Sequence, residues 1–90
     1  MKPIRFSNHA RLRMSLRGAS EKEVEETIGS AEWRKVKMGR FGVKFRFDFN
    51  EKSPINRKVY KYKTIEAVFA DEPDEIVIIT VKVYYSNTEA

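Results

Sequence analysis

His9, Arg13 and Arg17 stand four residues apart, and His9 is the one histidine of the chain. Histidine alone has an unperturbed pKa near neutrality, so His9 is the natural group for moving a proton at physiological pH. Cutting a phosphodiester without a metal needs a base for the attacking hydroxyl and an acid for the leaving oxygen. It also needs cations around the phosphorane. His9 can serve as base or acid, and Arg13 and Arg17 can grip a phosphate through their planar guanidinium forks. Structural roles compete with these. His9 can pack beside a helix cap. The two arginines can lay their stems on apolar surface or pair with Glu23, Glu25 or Glu26.

A second set of candidates is basic. Lys44 and Arg46, with Lys61 and Lys63, read as a basic stripe on one sheet face. Tyr60 and Tyr62 alternate with the two lysines and should point to the other face, which argues against an aromatic stacking platform. A plain solvated face is the alternative.

Those residues need elements to position them, and composition limits the choice. Ninety residues suit one domain, 1–90, with a small core. Hydrophobic residues make up 41% of the chain, too many for disorder. The absence of cysteine excludes disulfides, a thiolate nucleophile and cysteine-ligated zinc, and a single histidine excludes a multi-histidine metal site. The acidic group Asp71, Glu72, Asp74 and Glu75 reads as a hairpin turn, so no metal and no cofactor are expected. No stretch approaches the ~20 apolar residues of a membrane helix. The opening Met1 to Phe6 lacks the apolar run of a signal peptide, and a cytoplasmic protein is expected.

The net charge of +5 hides a blocked pattern. Residues 1–20 carry five Lys/Arg and no acid, whereas 21–32 carry five Glu and one Lys. Residues 33–63 carry eleven Lys/Arg against two acids, and 64–90 carry six acids against one Lys. If the two basic blocks meet, the local field exceeds what +5 suggests.

Residues 10–16 have an ambiguous period. Ala10, Leu12, Met14 and Leu16 alternate as in a strand, but the residue types favour a helix. Ser7 suits an N-cap and Gly18 a C-terminal stop. A helix over about 8–17 is therefore expected, with the His9–Arg13–Arg17 row between two apolar ridges at the edge of the packed side. Ser20 and Glu23 form a capping box for a second helix, with Val24 and Ile28 as its buried stripe and Gly29 closing it. The two make a helical hairpin over about 8–29.

The remainder, about 33–85, reads as sheet. Ile4 and Phe6 suggest a further short strand over 3–6. Expected strands are Trp33 to Met38, Val43 to Phe49, 58–70 and 76–85, with turns at 39–42 and 71–74 and a loop at 50–57. Ile76 to Val81 reads as a buried central strand by its continuous apolar character, Trp33 and the six phenylalanines as core, and 86–90 as a frayed tail. The fold class is α+β, a helical hairpin on a three- to four-stranded antiparallel sheet.

Ser7, His9-Ala10, Arg13-Met14, Arg17-Gly18-Ala19-Ser20 and Ile79-Thr80-Val81 together carry a resemblance. The chain resembles a small bacterial and archaeal family of unknown function over about residues 5–85. That family is remotely similar to RelE/ParE-type and BrnT-type toxins of toxin–antitoxin pairs. The resemblance implies a RelE-like fold and metal-independent RNA cleavage or a neighbouring activity. It also implies RNA and an acidic antitoxin-like protein as partners. Such toxins carry functional basic or aromatic residues near the C-terminus. Lys82, Tyr84 and Tyr85 occupy that region here, and Lys82 joins Lys44, Arg46, Lys61 and Lys63 as nucleic-acid-binding candidates. Two alternatives stand beside this. One is a non-catalytic module binding nucleic acid or protein through the same basic surface. The other is a domain that oligomerises, as a homodimer, through a sheet edge.

Overall fold

The computed structural model describes residues 2–88. Strand β1 (Ile4–Phe6) leads into helices α1 (Asn8–Arg17) and α2 (Glu21–Ser30). Strands β2 (Arg34–Lys35), β3 (Phe41–Lys52), β4 (Val59–Asp71) and β5 (Ile76–Ser86) follow, with a single 3-10 turn at Lys37–Gly39. They form one five-stranded sheet in the order β1-β5-β4-β3-β2, with the helical hairpin on one face.

The fold class is α+β, as expected, but the sheet is mixed. β1 runs parallel to β5, pairing Ile4 with Ile76 and Phe6 with Ile78. The antiparallel set expected from sequence therefore gains a parallel edge. The stretch expected as a strand from Trp33 to Met38 pairs only at Arg34 and Lys35, because Met38 adopts a left-handed backbone (φ 65°) inside the 3-10 turn. β3 starts two residues early and runs to Lys52, leaving a loop of 53–58. The end of β5 takes in Ser86, and residues 89 and 90 of the expected tail lie outside the described residues.

Ser7 couples two elements. Its N–H donates to the Ile78 carbonyl at 3.1 Å, which continues the β1 pairing. Its hydroxyl accepts from the Ala10 N–H at 3.0 Å and donates to the Ile79 carbonyl at 3.1 Å. One residue thus ends a strand, caps a helix and pins that helix to β5. α2 starts on the capping box: Ser20 Oγ accepts from Glu23 N–H at 3.1 Å, and Glu23 Oε1 accepts from Ser20 N–H at 3.0 Å. Val24 and Ile28 are buried as expected, together with Thr27.

The core lies between the hairpin and the near face of the sheet. Ala10 and Met14 of α1 and Val24 and Ile28 of α2 meet Val43, Ile65, Ala67, Phe69, Ile78 and Val83. The register shifts on β5 between the partners of Val68 and Phe69, which leaves Ile79 as an extra residue. This bulge moves the inward set from Ile76 and Ile78 to Val81 and Val83. Strand β5 is consequently covered on one face only. The strand expected as buried and central does lie inside the sheet, between β1 and β4, but Val77, Ile79 and Thr80 are half-exposed. The aromatic expectation holds for Phe6 and Phe69, which are buried, whereas Trp33 stays partly exposed and stacks edge-to-face with Phe69, ring centres 4.8 Å apart.

Candidate functional site

Helical geometry decides where His9, Arg13 and Arg17 sit. At 100° per residue Ala10 and Met14 share the buried face, and the row 9-13-17 runs along its flank. Its other neighbour is the ridge of Leu12 and Leu16. That ridge does not pack: Leu12 is 58% and Leu16 59% exposed. The expected burial of both ridges is corrected to one, because ten helical residues can bury only the side that meets β5.

The row lines a groove of about 210 Å³, whose opposite wall is Thr80, Val81 and Lys82 of β5. His9 and Lys82 are exposed, and Arg13 and Arg17 are half-buried. The groove exists because β1 stops at Phe6. Beyond it, α1 runs beside a stretch of β5 that has no strand on its outer side among the described residues. Four basic or protonatable side chains thus converge on one opening, and among the described residues no carboxylate lines it.

The end of α1 is held firmly. Gly18 stops the helix in a left-handed conformation, φ 86°, with its N–H donating to the Met14 carbonyl at 2.8 Å. The Tyr85 hydroxyl donates to the Arg17 carbonyl at 2.6 Å. Lys63 Nζ donates to the Gly18 carbonyl at 3.0 Å and lies 2.7 Å from Glu23 Oε2. A cation at a helix C-terminus suits the helix dipole. Burial alone would raise the Glu23 carboxyl, but hydrogen bonds from Lys63 and Ser20 and the Lys63 charge hold it below the usual carboxylate range.

This corrects the candidate set. Lys63 is buried and spent on the hairpin, so it is not available to a nucleic acid. Lys61 shares its side of β4 and is exposed near the strand start. Lys44 and Arg46 lie on the opposite, open face, and the stripe of four is divided between two faces. The signal was in the sequence: Lys63 has the same parity as Ile65, Ala67 and Phe69, which face the helices.

The open face gathers a different set. Lys44 pairs across β4 with Glu66, and Glu66 with Lys82. Arg46 sits 4.5 Å from the Tyr62 ring centre, and Lys44 Nζ 5.7 Å from that of Tyr84. Glu66 accepts from the Tyr84 hydroxyl at 3.2 Å and from Arg34 at 3.0 Å. Burial and the Glu66 charge raise the Tyr84 phenol, and the Arg17 charge partly offsets them. Lys82 lines the groove and, paired with Glu66, also lies on the open face, so the groove and that face meet at the edge of β5. Tyr62 lies on the face opposite Lys63, as the alternation expects, and so beside Arg46, whereas the place of Tyr84 on that face was not legible. The bulge at Ile79 sets the parity of Tyr84, and no pattern of residue types announces it.

Among the described residues no group of three or more His, Cys, Asp or Glu is placed to hold a metal ion. No helix among them is long and apolar enough to cross a membrane. A model of a family described as a domain of unknown function matches residues 6–83. Neither a curated protein nor a solved structure matches the chain.

Proposed function

The chain belongs to that family, DUF4258, and we propose that it is an RNA-directed protein of the toxin-like kind, a metal-independent ribonuclease working in the α1–β5 groove. The observation that carries this reading is the convergence of His9, Arg13, Arg17 and Lys82 on one groove with no acid in its lining among the described residues. Arg13, Arg17 and Lys82 bind the phosphodiester and stabilise charge on the phosphorane. His9 takes the proton of the 2′-hydroxyl, whose oxygen bonds to the phosphorus to close a 2′,3′-cyclic phosphate as the bond to the 5′-oxygen breaks, and the 5′-oxygen leaves as a hydroxyl with a proton from solvent water in the open groove. The flanking nucleotides run over Lys82 onto the open face, beside Tyr84, Lys44 and Arg46. In this reading the fold is RelE-like, the protein is cytoplasmic, and an acidic antitoxin-like protein neutralises it.

A second reading, a non-catalytic RNA-binding module, is favoured by one feature. His9 is exposed, and among the described residues no carboxylate or carbonyl hydrogen-bonds its ring to fix a tautomer. Both readings use the same cations. Incubating the purified protein with single-stranded RNA in EDTA, beside His9→Ala, separates them. The ribonuclease reading expects cleavage by the native chain and a loss of at least 100-fold in the variant, with RNA binding retained. Binding without cleavage by either selects the module, and cleavage unchanged by the substitution contradicts His9 as the proton carrier.

A further inference from the structure

β1 covers the outer edge of β5 only at Ile76 to Ile78, and the Ser7 hydroxyl takes the Ile79 carbonyl. From Thr80 to Ser86 no strand pairs with that edge among the described residues. A row of unpaired peptide groups is a template for another strand. Natural edges are blunted by charge, and Lys82 and the neighbouring arginines do so here. The blunting is one-sided in sign: His9, Arg13, Arg17 and Lys82 are all basic or protonatable. A second copy of this chain is therefore the wrong occupant. Antiparallel pairing of two β5 edges would bring two such sets together, and like charges across a strand pair are destabilising.

Geometry describes the right occupant. His9, Arg13 and Arg17 climb α1 at intervals of about 6 Å, four residues at ~1.5 Å each. Alternate side chains of an extended strand recur at about 6.7 Å on one face. Acidic residues at every second position of an added strand would therefore meet the three α1 side chains one by one, while the strand's backbone pairs with β5. We infer that the outer edge of β5, residues 80–86, accepts an extended segment of a partner protein with acidic residues at alternate positions, as a sixth strand. The inference rests on the proposed reading of this groove as an anion site. The segment and a polynucleotide compete for the same cations, so the partner switches off RNA binding by occupying the groove.

The test uses a fluorescent seven-residue peptide, Val-Glu-Val-Glu-Val-Glu-Val with blocked ends, and the full chain. Two further peptides carry backbone N-methyl groups, one on the interior valines and one on the glutamates. In an added strand only one alternate set of N–H groups faces β5. One methylated peptide should thus lose at least 10-fold in affinity and the other keep it. Amide hydrogen exchange should slow at residues 80–86, and Arg13→Ala/Arg17→Ala should abolish binding. Equal binding by all three peptides means charge attraction alone and overturns the strand. Absence of binding, or protection elsewhere in the chain, overturns it as well. So does a dimer in solution whose residues 80–86 are protected without peptide. Single-stranded RNA is titrated separately. RNA binding without peptide binding sinks this inference and leaves the proposed function standing. Peptide binding without RNA binding does the reverse.

Discussion

Lys63 Nζ lies 2.7 Å from Glu23 Oε2 and donates to the carbonyl of Gly18 at 3.0 Å. One buried ammonium thereby ties β4 to the first turn of α2 and to the last turn of α1. Glu23 already serves the capping box, so its two oxygens divide the work. The pair fixes where α1 ends, and hence where Arg17 enters the groove.

Removing the ammonium should destabilise the fold more than a surface charge would. In Lys63→Met the half-buried Glu23 carboxylate keeps its desolvation cost without its partner. The expected loss is about 2 kcal/mol, short of the roughly 3–5 kcal/mol of a fully buried pair because Glu23 keeps some contact with water. Urea unfolding at neutral pH checks this.

The same pair sets an acid response. Because the folded-state value of Glu23 is depressed, its contribution to stability is complete above the unfolded carboxyl value of ~4.3. It is lost as pH falls through the lower folded value. Glu23→Gln should be less stable than the native chain at pH 7, and the gap should narrow as pH drops below about 4. Thermal midpoints across that range give the result.

Gly18 tests how tightly that corner is built. A Cβ there would stand 2.7 Å from Tyr85 Oη and 2.8 Å from Pro54 Cγ, on a backbone with φ 86°. Gly18→Ala pays about 1–2 kcal/mol for the left-handed conformation, plus the displacement of the tyrosine and the proline ring. A loss of at least about 2 kcal/mol in chemical denaturation is expected.

The ambiguous stretch 10–16 gives a contrast between two residues that the alternation makes equivalent. Met14 is buried and Leu12 is 58% exposed. Met14→Ala should cost about 2–4 kcal/mol, and Leu12→Ala within about 0.5 kcal/mol. Similar losses at both would contradict the helical placement of the row.

Much of this was legible where residue chemistry acts locally. Ser7, Gly18 and the Ser20–Glu23 box mark both helices, because capping is a matter of a few adjacent groups. The row 9-13-17 follows from them. What the sequence hid depends on pairing at a distance. Nothing local in Ile4 to Phe6 says that it joins β5 in parallel. Nothing near Ile79 announces the bulge that turns Tyr84 toward Lys44. The buried Lys63 was hidden differently. Its parity with Ile65 and Phe69 was visible, but a lysine on an apolar face makes sense only once Glu23 and the Gly18 carbonyl are known to meet it.

The groove as an RNA phosphate site is most directly tested by the salt dependence of affinity. Titration of labelled single-stranded RNA at several salt concentrations, on the native chain and on Arg13→Ala/Arg17→Ala, reads the number of phosphate contacts. The account predicts weaker binding by the variant and a log–log slope shallower by about 1.4, from ~0.7 per phosphate contact on a single strand. Equal affinity and equal slope, with the variant folded, would contradict it.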